Sequence, residues 1–130
     1  QEGARALKNL KNILELRQKN AQIYTEFLKE NQKNHVSQKY FTNHSFLKYP
    51  LLVRDKKKFF ELAEQANVQL SDWFCSALHP VEGDLSAWGF EAAKYPVATK
   101  ISSQMVNLPA DTRSIDKVLR FLEHNLSLII

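Results

Sequence analysis

The chain has 130 residues, 44% of them apolar and 25% charged, which bounds it to one ordinary globular core. A single cysteine, Cys75, excludes an internal disulfide and points to the cytoplasm. No apolar run reaches the roughly 18 to 20 residues that span a bilayer, so no membrane association is expected. Net charge is +4, split unevenly: residues 1–60 hold 13 Lys/Arg against 5 Asp/Glu, net +8, and residues 61–130 hold 5 against 9, net −4. Such a basic half can attract phosphates. It lacks interleaved aromatics, however, so solvated lysines are the better reading and nucleic acid is not an expected partner. The chain starts with Gln1 and not Met, and it is read as the end piece of something longer.

In chain order, Leu7, Leu10, Leu14, Arg17, Ala21, Tyr24 and Leu28 recur every three or four residues, with Ile13, Leu16, Ile23 and Phe27 beside them. This predicts a helix of about 28 residues, roughly 40 Å long. So long a helix cannot be covered by the remainder of so small a chain, and part of it should pack on another domain or subunit. Arg17 within the stripe is expected to pair with a carboxylate or carbonyl. Residues 31–45 read as a polar surface connection carrying His35 and His44. Phe46 to Val53 reads as a strand, placed at an edge by Pro50. Asp55 then offers an N-cap for a helix with Phe59, Leu62, Ala63 and Ala66 on its apolar face, and Asn67 suits its left-handed close.

Val68 to Leu70 reads as a second extended segment. Gly83 to Gly89 reads as a loop pinned by Leu85, Trp88 and Phe90. Pro96 opens a helix to about Gln104, and Met105 to Leu108 is a third strand ended by Pro109. Thr112 or Ser114 caps a last helix with the stripe Ile115, Val118, Leu119, Leu122 and Leu126. The expected fold is α/β: a long N-terminal helix and a small three-stranded sheet with helices packed on one face. It forms a single domain over residues 1–130, with the long connecting helix in 1–32 and the sheet-and-helix body in 46–130.

Chemistry concentrates in "DWFCSALHPVEGD", residues 72–84. Three readings stand: a Cys75/His79 catalytic pair, a metal half-site, or the wall of a pocket completed elsewhere. The pair needs a folded-back geometry and a third group to orient the ring, while Pro80 biases His79 away from helical angles. Cys75, His79, Asp72 and Asp84 match no zinc spacing, so no metal is expected. Gly3, Gly83 and Gly89 are too scattered for a phosphate loop. Arg54 with Lys56 to Lys58 opens a helix where a bound anion would relieve the clustered charge. Exposed lysines with Asp55 as cap are the more ordinary account.

Taken together, "LRQKNAQIYTEFL", "YPLLVRDKKKFFELAEQANV", "WFCSALHP" and "YPVATKISSQMVNLP" resemble, in order and spacing, the carboxy-terminal small domain of the DegT/StrS family of pyridoxal-phosphate (PLP)-dependent nucleotide-sugar aminotransferases. Asn67-Val68 stands where the family commonly has Gly-Ile. Trp73-Phe74 stands where it often has a tyrosine, which puts a phenolic contact to substrate in doubt. The resemblance implies a PLP-binding large domain that this chain lacks, a homodimer, glutamate as amino donor and a keto-sugar nucleotide as acceptor. It also implies that the chain alone binds no PLP and is inactive. His79 becomes the first candidate to face the sugar nucleotide, with Trp73 and Phe74 as apolar walls; no catalytic residue is expected here. The rival reading is a stand-alone anion- or nucleotide-binding module working through Arg54 and Lys56 to Lys58.

Overall fold

A computed structural model describes residues 2–130. Helix α1 runs from Glu2 to Glu30, so the expected start of the long helix at residue 1 lies outside the described residues. Strand β1 spans Lys48–Leu52, helix α2 Lys56–Gln65, helix α3 Pro96–Gln104, strand β2 Met105–Pro109 and helix α4 Ile115–His124.

Local chemistry explains most element ends. Asp55 Oδ1 accepts the Lys58 N–H at 2.9 Å and caps α2. Asn67, at φ 52°, closes it: the Asn67 N–H reaches the Glu64 carbonyl at 2.8 Å and the Val68 N–H the Ala63 carbonyl at 2.7 Å. This is a Schellman closure without glycine. Gln32, at φ 56°, ends α1 in the same way, with the Lys33 N–H on the Leu28 carbonyl at 2.8 Å. At the start of α4, the Thr112 hydroxyl accepts the Ser114 N–H at 3.0 Å, while Ser114 occupies the cap position.

The sheet has two antiparallel strands and not the expected three, with Tyr49 opposite Leu108 and Leu51 opposite Val106. The 68–70 segment contributes one bridge, a residue later, between Ser71 and Asn107. Its backbone is engaged elsewhere. Val68 caps α2, and the Trp73 N–H goes to the Asn107 side chain instead of a neighbouring main chain. Because Asn107 exchanges both backbone bonds with Ser71, its cross-strand partner Pro50 sits in a non-hydrogen-bonded pair, where a missing N–H costs the ladder nothing.

Tyr49, Leu51, Val106 and Leu108 turn one face of the sheet into the core, and α1, α2 and α4 bring Ala21, Tyr24, Leu28, Phe59, Ala63, Val118, Phe121 and Leu122 against it. Phe46 is buried but precedes the strand, at φ 47°, its N–H taken by His44 Nδ1 at 2.9 Å. Trp88 is largely exposed and pins nothing, whereas Phe90 stacks on Tyr95 at 5.3 Å. Along α1 full burial begins at Asn20. Leu7 and Leu10 face solvent, as expected of a helix too long for its own body. Arg17 pairs within the chain, Nη2 to Asp111 Oδ2 at 3.4 Å, with its Nε buried and unpartnered.

Asn20 and Thr25 are buried polar residues that were not foreseen. Asn20 Nδ2 donates to the carbonyls of Ala110 and Thr112, at 2.9 and 2.8 Å, tying α1 to the turn before α4. Thr25 and Tyr49 share a hydroxyl contact of 2.8 Å. Tyr24 donates to the Pro109 carbonyl at 2.9 Å; burial first, then the Asp111 charge, pushes its phenol well above the ordinary value.

Candidate functional site

The segment from Ser71 to Val81 crosses the molecule outside regular structure, so its position depends on anchors from beneath. Asn107, buried in β2, supplies three: its N–H and carbonyl pair with Ser71 at 2.9 and 3.0 Å, and its Oδ1 accepts the Trp73 N–H at 3.0 Å. Lys56, the first residue of α2, supplies two more and also ties the segment to α3. Its ammonium lies 2.6 Å from Asp72 Oδ1 and donates to the carbonyls of Phe74 and Ser102, both at 3.0 Å. Two of the three ammonium protons are thus directed at carbonyls. The Asp72 contact is an ion pair without the alignment of a good hydrogen bond, and it offsets a positive charge at a helix start.

Held this way, the segment turns its large side chains outward. Trp73 and Phe74 are each about half exposed, at 47% and 48%, and His79 is exposed. The Phe74 and His79 rings lie 6.2 Å apart, tilted by 54°. The structure therefore groups Phe74 with His79 and leaves Trp73 beside them in sequence. None of the three lines the two cavities that flank the segment. One, of about 1070 Å³, opens between α2 and residues 67–72, with Lys57, Phe60 and Glu64 on its wall. The other, of about 410 Å³, lies between Cys75, Asp84, Phe90 and Thr99.

The folded-back geometry that a Cys/His pair requires is present, formed by a turn and not a helix. Cys75 Sγ lies 3.3 Å from His79 Nδ1, and the Cys75 N–H lies 3.4 Å from the same nitrogen. No third side chain among the described residues orients the ring, which is the part a catalytic pair would add. Among the described residues there is also no group of three or more His, Cys, Asp or Glu that could hold a metal ion. Asp84 spends its carboxylate on the Ser86 N–H and hydroxyl, both at 2.9 Å, and these bonds hold its pKa below the usual carboxylate range.

The rival anion-binding reading included Lys56, and the preferred one left it solvated; the structure does neither, committing Lys56 to Asp72 and leaving Arg54, Lys57 and Lys58 exposed. Sequence reasoning also passed over Asn107. The one signal available was a polar residue between Val106 and Leu108 in an otherwise apolar strand.

The lysine and acid that this segment brings together do not fit a PLP site. That cofactor asks for a lysine at its aldehyde and an acid at its ring nitrogen, on opposite sides of the ring. The lysine and acid that meet here, Lys56 and Asp72, are 2.6 Å apart and committed to each other and to two carbonyls.

The family model described as the DegT/DnrJ/EryC1/StrS aminotransferase family matches residues 3–119, most of the chain. No curated protein and no solved structure matches it significantly.

Proposed function

Because the chain belongs to the DegT/DnrJ/EryC1/StrS aminotransferase family, we propose that it is the carboxy-terminal small domain of an enzyme that moves an amino group from glutamate to a keto-sugar nucleotide. The family is generally PLP-dependent. The reading assigns the lysine and acid of that chemistry to a large domain outside these residues, and Lys56 and Asp72, committed to each other, are not offered for it. The chain's own work is to wall the substrate pocket, with His79 facing the sugar nucleotide and Trp73 and Phe74 as apolar walls. It also contributes to a dimer contact. The reading places the protein in the cytoplasm, consistent with its free Cys75; no helix among the described residues is long and apolar enough to cross a membrane.

The observation that carries this reading is the anchored 71–79 segment. Four polar contacts from Asn107 and Lys56 fix its main chain and a fifth holds the Asp72 side chain, while Trp73, Phe74 and His79 stay uncovered. A surface segment held so firmly with its aromatics outward suits a wall that another body closes. The rival reading, an anion-binding module, loses Lys56 and gains no observation in its place.

The test is amination of a keto-sugar nucleotide with glutamate and PLP supplied. These residues alone give no product and no stable Schiff-base absorbance, and joined to the large domain they give both. Turnover by the chain alone, or saturable RNA binding in place of sugar-nucleotide binding followed through Trp73 and Trp88 fluorescence, would refute it.

A further inference from the structure

His79 is exposed, yet its Nδ1 meets two donors from one residue: the Cys75 N–H at 3.4 Å and Cys75 Sγ at 3.3 Å. A main-chain N–H can only donate, so Nδ1 must present its lone pair. A ring protonated at both nitrogens would set N–H against N–H. The thiol therefore serves as a second donor to the same lone pair and is not the partner thiolate of an imidazolium. Its single proton has one other acceptor in reach, the Val81 carbonyl, and at 3.9 Å that is the longer contact.

We propose that Cys75 is a positioning residue for His79: it places the imidazole proton on Nε2 and turns that N–H away from the loop. His79 then offers the sugar nucleotide one directed donor, matched to an acceptor oxygen of the sugar or diphosphate and not to a substrate N–H or ammonium. This assignment of the ligand partner rests on the reading proposed above. The site of the proton does not, and it is measured without ligand.

Long-range proton–nitrogen correlation spectra of the labelled chain, at a pH where the ring is neutral, read both ring nitrogens, with His79→Gln identifying the signals among the four histidines. The wild type should show Nε2 protonated and Nδ1 bare. Cys75→Ala should shift the tautomer ratio about fivefold toward Nδ1–H, the size expected for one net hydrogen bond. Cys75→Ser, which keeps a donor, should restore it. Cys75→Ala removes only the sulfur of a partly exposed side chain, so circular dichroism should match the wild type. A wild-type ring protonated on Nδ1 or on both nitrogens, an unchanged ratio in Cys75→Ala, or no rescue by Cys75→Ser would overturn the proposal. Loss of sugar-nucleotide binding with the tautomer pattern intact would count against the functional reading alone.

Discussion

Asn107 holds three points of the 71–73 main chain from one buried position, and only its side-chain oxygen can be removed without disturbing β2. Asn107→Ala should cost about 1 to 2 kcal/mol, since one bond is lost and the Trp73 N–H is left without its acceptor. Urea unfolding measures the cost, and faster amide exchange at Trp73 locates it. Tyr24 gives a pH prediction with a definite sign. Burial, reinforced by Asp111, raises its phenol pKa in the folded chain, so the fold favours the neutral form. The associated stability is present below the unfolded phenol value of about 10 and is lost as pH rises above it. Ionisation would also remove the proton given to the Pro109 carbonyl. Tyr24→Phe should be less stable at neutral pH and should lose stability less steeply in alkali; Tyr49, raised chiefly by burial, keeps part of the slope. A series of urea curves from about pH 8 to pH 11 tests both statements, and equal alkaline slopes in the two proteins would contradict the second.

Element boundaries were legible wherever one residue carries the boundary chemistry. Asp55, Asn67 and Pro96 do so: α2 begins and ends, and α3 begins, where those residues put them. The extended segment Val68 to Leu70 was misread as a strand because its composition is strand-like while the Val68 N–H serves a helix cap and, just beyond, the Trp73 N–H serves a side chain, a competition that no local pattern reveals. The candidate site divides along the same line. Trp73, Phe74 and His79 stand out by residue type within a short segment. Lys56 and Asn107 act from 16 and 34 residues away in sequence, through contacts that exist only once α2 and β2 are packed. Lys56 yields the prediction at this scale. Lys56→Met keeps the aliphatic stem and removes the ammonium, freeing Asp72, Phe74 and the end of α3 together. Because Asp72 is 36% exposed, solvent screens much of the pair, and the cost should be about 1 to 2 kcal/mol and not the larger figure of a fully buried one. Limited proteolysis should then cut after Phe74 or Trp73 sooner than in the wild type.

For the molecule as a whole, the first turns of α1 form an apolar surface that its own body leaves uncovered, with Leu7 at 71% and Leu10 at 43% exposure. Replacing both with Glu should change the melting stability of the chain by no more than about 0.5 kcal/mol, the usual range for exposed positions. The same pair of changes should weaken association with the large domain or a second copy, read by sedimentation. A large drop in the chain's own melting temperature would show that this surface is already used internally. The opposite rim of the molecule is finished differently. At the centre of β1, Pro50 has no proton to offer an incoming strand, and the neighbouring Leu52 carbonyl is already occupied by the Ile130 N–H at 3.0 Å. A foreign polypeptide sliding alongside finds no continuous row of donors and acceptors to zip onto, so a two-stranded ribbon that could seed amyloid-like stacking is blunted by one imino acid and the last residue of the chain.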